Sequence, residues 1–257
     1  MRRAALLTAL LALAIAPAET RAERLVTSLS NHQVMVTSSF TGEELVLFGT
    51  VEQDAASKPR QNYDIVVTIT GPRQNLVTRR KDRVIGIWTN VDSRFFVNVP
   101  SYLGVLTTRP IPDIANRETL RRLGVGIDNF ILTQRIGTDL ADVVPDDPFR
   151  SNFVRLQRQK GLYLEEQRAI TFLSPTLFRV DIPLPAEVPF GAYQVDVKLF
   201  ADGAMIAREN SALEIFKVGF EQFVANAARE HGFLYGLAAA LMALVTGWLA
   251  SVIFRRD

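Results

Sequence analysis

Phe233 to Phe254 reads FLYGLAAALMALVTGWLASVIF, 22 residues without a charge. Hydrocarbon offers backbone N–H and C=O groups no partner, so a stretch of this length and composition predicts one structure, a membrane-spanning α-helix. The rest of the chain has to be arranged around that anchor. Arg255 and Arg256 follow it directly. The positive-inside tendency then assigns residues 255–257 to the cytoplasm and everything before the span to the far side of the membrane.

The N-terminus predicts the same topology independently. MRRAALLTALLALAIAPAETRAERL carries Arg2 and Arg3, an apolar run from Ala4 to Ala16, and then small residues at the spacing signal peptidase reads. The run is short for a span, and cleavage fits after Ala18 or after Ala22. Cutting after Ala22 leaves the extended segment ERLVTSL at the mature start. The expected organisation is a signal peptide over 1–22, an exported region over 23–217, a juxtamembrane segment over 218–232, the span over 233–254 and a tail over 255–257. The expected location is the bacterial inner membrane, single-pass, with the N-terminal region in the periplasm.

The chain has no cysteine. Disulfide staples, thiolate metal sites, c-type haem attachment and cysteine nucleophiles are therefore excluded, and the exported region must hold together by packing. A formal net charge of +2 argues against nucleic acid or another bulk polyanion as partner.

From Gln33 onward short runs rich in Val, Ile, Thr and aromatics alternate with turn residues: VMVTSSF, ELVLFGTVE, YDIVVTITGP, RFFVNV and YLGVLTT. Such runs suit half-buried strands. NLVTRRKDRVIGIWTN reads as a hairpin turning near Arg80 to Asp82. The texture becomes helical over about 111–161: Ile114 to Leu123 ending at Gly124, then Asn129 to Leu140, then 148–161 with Asp146 or Asp147 as cap and Pro148 in its first turn. Strand texture returns after Gly161, and Asp202-Gly203 signals a hairpin. Pro185 to Val197, PAEVPFGAYQVDV, resembles the loop and penultimate strand of immunoglobulin-like sandwiches, in which a tyrosine, here Tyr193, hydrogen-bonds back across the corner. The expected fold is mainly β: an immunoglobulin-like sandwich with a helical insertion, then one transmembrane helix. Two small β domains are the alternative. KVGFEQFVANAAREHG (217–232) places Phe220, Phe223, Val224 and Ala227 on one helical face, either an interfacial amphipathic helix or a stalk continuous with the span.

FTGEELVLFG, VIGIWTNVDSRFFVNVPSYLGVLTTRP, PFGAYQVDV and KVGFEQF ahead of a C-terminal span together resemble the alphaproteobacterial putative transmembrane protein family over essentially the whole mature chain. The resemblance implies an exported single-span protein and brings no catalytic residues with it. It also implies a genomic neighbourhood with a permease similar to the sulfite exporter group, and hence an integral-membrane partner.

No catalytic, cofactor or metal residues are expected. His32 and His231 stand far apart in sequence, and no Ca²⁺ loop, phosphate loop or nucleophile elbow is present. The candidate ligand or partner contact is Arg79, Arg80, Arg83, Trp88 and Arg94. Strict alternation puts Trp88 on one face of its strand with Gly86 and Asn90 and with Arg94 at the end, makes Asp92 to Arg94 a turn, and aligns Phe95, Val97 and Val99 on a core face. In the span, Gly236, Ala240, Ala243, Gly247 and Ser251 form a small-residue stripe suited to close helix packing. The expected function is a non-catalytic accessory protein partnering an integral-membrane protein in the lipid bilayer. A periplasmic small-anion or glycan binding module is the alternative.

Overall fold

A computed structural model describes residues 23–52, 62–136, 138–219 and 228–253. The protein is mainly β, with two facing sheets, a third inserted sheet and one apolar C-terminal helix. The strands are β1 (Arg24–Leu29), β2 (Gln33–Val36), β3 (Gly42–Glu52), β4 (Asp64–Thr70), β5 (Arg73–Val84), β6 (Ile87–Pro100) and β7 (Leu103–Thr107). Short helices α1 (Ile111–Ile114) and α2 (Arg117–Arg122) follow, then β8 (Thr133–Ile136), β9 (Asp139–Asp142) and α3 (Pro148–Gln159). The chain returns through β10 (Tyr163–Gln167), β11 (Ile170–Phe172), β12 (Leu177–Pro185), β13 (Gly191–Ala201) and β14 (Ala204–Lys217), and α4 (Gly232–Ile253) is the apolar helix.

One sheet has the order β1-β3-β12-β11 and the other β10-β7-β4-β13-β14-β2. Strands from before and after the insertion are direct neighbours in both, β3 with β12 and β4 with β13, so these two sheets form a single sandwich. The first order matches the A-B-E-D sheet of an immunoglobulin-like fold, and the run β14-β13-β4-β7 matches its G-F-C-C′ sheet. The core faces are read from alternation. Leu45 and Leu47 on β3, Ile65, Val67 and Ile69 on β4, and Val195, Val197 and Leu199 on β13 are all buried. Phe178 on β12 pairs with Gly49 on β3, and a Cβ at Gly49 would fall 2.2 Å from the Phe178 ring. The ring occupies the space that glycine leaves.

Tyrosines tie the layers together. Tyr193 Oη donates to the Pro189 carbonyl at 2.6 Å, the corner bond expected at the start of this strand. The Tyr102 and Tyr193 rings lie 5.8 Å apart, and Tyr102 Oη reaches across the core to the Pro183 carbonyl of β12 at 2.7 Å. A Cβ at Gly71 would come within 2.9 Å of both tyrosines, so that position is closed to any larger residue. Tyr163 Oη donates to the Pro100 carbonyl at 2.8 Å.

Charge is buried as well. On β13 the Asp196 carboxylate accepts from the buried Lys198 ammonium and from Arg208 on β14, at 2.6 Å from Arg208 Nε. Without the carboxylate, Lys198 would be a buried unpaired cation, so the group reads as structural.

The insertion between β7 and β10 differs from its sequence pattern in two places. The helix expected over 114–123 is two helices, α1 and α2, separated by Ala115 and Asn116, because the Asn116 side chain accepts from Thr119 N and restarts the helix. The helix expected over 129–140 is instead the β8–β9 hairpin, since β8 finds a ready edge on β6. The third helix stands: Asp147 caps α3, accepting from Phe149 N at 2.7 Å, with Pro148 at its start. The expected signal peptide and tail, and most of the expected juxtamembrane helix, lie outside the described residues.

Burial raises the phenol pKa of Tyr102, Tyr163 and Tyr193 well above its usual value. The folded state therefore holds these protons more tightly than the unfolded state. The stability this represents is intact below about pH 10 and is lost as pH rises beyond it. Denaturant midpoints are expected to fall above that pH, with phenolate absorbance from these three residues rising only together with unfolding.

Candidate functional site

The third sheet, β5-β6-β8-β9, joins the hairpin between β4 and β7 to the β8–β9 hairpin of the later insertion and shares no strand pairing with the sandwich. Its base is clamped where the chain leaves β4 and rejoins β7: Gly71 N donates to the Tyr102 carbonyl at 2.8 Å and Ser101 N to the Pro72 carbonyl at 2.9 Å. Phe96 on β6 packs on Phe153 of α3, ring centroids 5.0 Å apart, which fixes one face of this sheet against the insertion. The other face is open.

β5 and β6 pair from Arg73–Pro100 to Val84–Ile87, so the turn is Ile85–Gly86 and not Arg80 to Asp82. Asp92 to Arg94, expected as a turn, lie inside β6. Both turn residues have positive φ, 51° for Ile85 and 84° for Gly86. This is the two-residue hairpin geometry in which both central residues are left-handed, usually built from Asn-Gly or Asp-Gly. The chain uses the usual version at Asp202–Gly203, with φ of 52° and 80°. At Ile85 the Cβ branch opposes that conformation, at a cost on the order of 1–2 kcal/mol.

Two bulges on β6 reset its faces. Arg80 pairs with Asp92 but Lys81 with Asn90, leaving Val91 as an extra residue. Gln74 pairs with Val99 but Leu76 with Phe96, where Asn98 takes φ 56° and its N–H reaches Asn75 Oδ1 at 3.0 Å. Each extra residue shifts the alternation by one. Phe96 and Val99 are consequently buried, in place of the aligned Phe95, Val97 and Val99 that strict alternation predicts. The same shift separates two of the predicted contact residues. Trp88 shares the outer face with its partner Arg83, whereas Arg94, opposite the buried Thr78, lies on the inner face. There its guanidinium lies 4.9 Å from the Phe149 ring centre and 3.9 Å from Asp92.

Of the predicted contacts, Arg79, Arg83 and Trp88 therefore converge on the outer face, joined by Lys81, while Arg80 lies on the inner side with Asp92. One row crosses the outer face through direct pairs: Val77, Phe95, Arg135 and Leu140. Arg135 stacks over Phe95 at 5.2 Å. Arg135 and Leu140 were not predicted, because the segment carrying them reads as a helix in isolation. Val84, Ile85 and Ile87 were missed because the basic cluster drew the turn assignment away from Gly86.

A separate cleft of about 860 Å³ lies at one end of the sandwich, lined among others by Asp64, Arg109, Asp113, Asn116 and Phe172. Arg109 holds the buried Asp64 in a two-pronged pair through Nε and Nη2, and that pairing raises the Arg109 pKa. Half the Arg109 side chain remains exposed. Neither histidine lines this cleft: His32 is exposed in the β1–β2 turn and His231 is exposed just before α4. Among the described residues no cluster of three or more His, Asp or Glu side chains could hold a metal ion.

α4 has a mean hydropathy of 1.8 over Gly232–Ser251 and is long enough to cross a membrane. Gly236, Ala240, Ala243, Gly247 and Ser251 lie along one of its sides, and a Cβ at Gly236 or Gly247 would meet nothing within 4 Å.

The sequence profile of the alphaproteobacterial family described as "Putative transmembrane protein" matches residues 24–256. The chain belongs to that family. Membrane anchoring by a single C-terminal helix follows from this match together with α4. No curated protein matches the sequence. Among solved structures, the N-terminal domain of the Streptococcus gordonii adhesin Sgo0707 aligns with 75% of this chain and 32% of its own at 8% identity, TM-score 0.27. The match thus spans about a third of the adhesin chain, and it is too distant to bear on function.

Removing Arg94 and removing Trp88 should have different consequences. Arg94→Ala is expected to lower stability by about 0.5–1 kcal/mol through its lost stacking on Phe149. Trp88→Ala, on an exposed strand, should stay within about 0.5 kcal/mol of the parent. Denaturant titration of both variants checks this.

Proposed function

We propose that the protein is a non-catalytic accessory protein of the bacterial inner membrane, with its sandwich in the periplasm and its C-terminus in the cytoplasm, that docks on an integral-membrane protein. The observation that carries the reading is the open outer face of the inserted sheet. Val77, Phe95, Arg135 and Leu140 form a mixed apolar and cationic row across all four strands, with Val77 and Leu140 about half exposed. A contiguous row of this kind on a tethered domain is the composition of a protein contact surface. The small-residue side of α4 supplies a second contact within the bilayer, where close backbone packing drives helix association. A permease similar to the sulfite exporter group is the partner class that the family resemblance suggests. The Arg255–Arg256 pair and the signal-like N-terminus support the orientation.

A photo-crosslinker at Leu140 in native membranes is expected to capture an integral-membrane protein, and Gly247→Leu should lower its recovery severalfold without preventing membrane insertion. Recovery of the protein alone, or unchanged recovery with Gly247→Leu, contradicts helix-assisted docking.

The cleft at Arg109 favours a second reading, a module for a small anion or glycan. Its exposed guanidinium edge and the neighbouring Asn116 are groups that such ligands engage. A thermal-shift screen of oxyanions and periplasmic sugars should then find stabilisation that Arg109→Gln abolishes. Stabilisation insensitive to that change places the ligand elsewhere.

A further inference from the structure

We infer that the tip of the β5–β6 hairpin is a membrane-inserting wedge that enters an anionic phospholipid surface, giving the protein a second bilayer contact besides α4. The tip exposes apolar side chains on both faces and at its end, with one cation among them: Arg83, which lies opposite Trp88 and donates from its Nε to the Gly86 carbonyl at 3.1 Å. Ile85 is 97% exposed, Ile87 70%, Trp88 68% and Val84 46%. The Val84–Ile87 pair occupies one face of the hairpin, Trp88 the opposite face, and Ile85 its end. A groove on a protein covers one face of an inserted element. A fluid apolar medium covers every face at once, and this tip requires that kind of cover.

Ile85 sharpens the argument. The same turn geometry at Asp202–Gly203 carries the polar residue that suits it in water. At the hairpin tip the chain accepts a β-branched apolar residue in a left-handed conformation and exposes nearly all of it. Water gives no reason for that choice; burial in acyl chain does.

The charge behind the tip identifies the surface. Residues 73–100 carry Arg73, Arg79, Arg80, Lys81, Arg83 and Arg94 against Asp82 and Asp92, a net +4, while the whole chain is only +2. The remainder of the chain is therefore net −2. Arg79, Arg80 and Lys81 are exposed and make no ion pair with a described residue. Beyond its pairing with β8 the hairpin extends roughly 20 Å at the usual rise per strand residue. The order is apolar end, then Trp88 level with Arg83, then a basic collar of Lys81, Arg80 and Arg79. That sequence follows the depth profile of a bilayer: acyl chains, the interfacial zone that tryptophan favours, and anionic headgroups. Acidic protein partners would satisfy the collar but not an end with exposed apolar side chains on both faces and at its turn.

Full-length protein carrying Trp248→Phe, which leaves Trp88 as its one tryptophan, is placed singly in nanodiscs and its emission recorded. Discs made of equal parts phosphatidylglycerol and phosphatidylcholine are compared with discs of phosphatidylcholine alone. No integral-membrane partner is present in the discs, so failure of the docking reading above does not affect the outcome. In the anionic discs Trp88 emission is expected to be blue-shifted and quenched by lipids brominated on their acyl chains. The quenching should weaken in phosphatidylcholine discs and be lost in an Ile85→Asp/Ile87→Asp variant. That variant should unfold thermally no lower than the parent, because both side chains are exposed and aspartate suits the left-handed turn better than isoleucine does. Water-like, unquenched emission in the anionic discs overturns the proposal. A blue shift without bromolipid quenching overturns it too, since the tip would then be covered by protein. Equal quenching in both lipids removes the anionic-surface assignment.

Discussion

The structure depends on how two sheets are held together without a covalent link. Tyr102 and Tyr193 do that work at the centre of the sandwich. Their rings pack against each other, one hydroxyl crosses to the opposite sheet at Pro183, and the other closes its own corner at Pro189. A buried hydroxyl without a partner would cost about 1–3 kcal/mol, so each bond both stabilises and specifies the position of its ring. Gly71 leaves the room that both rings need.

The inserted sheet inherits its position from that cluster. Tyr102 is also the residue at which the chain re-enters the sandwich, and its carbonyl accepts from Gly71 N where the chain departs. Tyr163, from the far end of the insertion, binds the Pro100 carbonyl at the same junction. The hairpin is thus rooted in the hydrogen-bonded tyrosine cluster, and Phe96 against Phe153 braces its inner face. Its outer face and tip keep exposed apolar and cationic groups that the fold itself does not consume. A rooted base with an uncommitted end suits a contact surface on a membrane-anchored protein.

Much of this architecture was legible in the sequence. The C-terminal helix, the corner tyrosine, the Asp147 cap and the Asp202–Gly203 turn each follow from local chemistry that the surroundings do not override. The misreadings share one cause. Residues 129–140 look helical by spacing, but the free edge of β6 offers backbone partners to a strand, and the pairing decides the outcome. Alternation along Trp88 to Val99 fails because two extra residues enter β6, and each bulge is created by how β5 and β6 register. The candidate contact accordingly splits: Arg79, Arg83 and Trp88 share the outer face, while Arg94 serves the inner one.

By itself the sequence determined the composition of each environment: an uncharged 22-residue apolar stretch, a cysteine-free region of strand texture and an aromatic, arginine-rich segment within it. Only the tertiary structure decided which side of that segment meets the core, that Ile85 and not the basic cluster forms its tip, and that Arg135 and Leu140 join its outer face. The physical reason is the two-residue period of a strand. Hydrophobic content is local and survives any change of register, whereas the face a side chain occupies reverses with a single inserted residue.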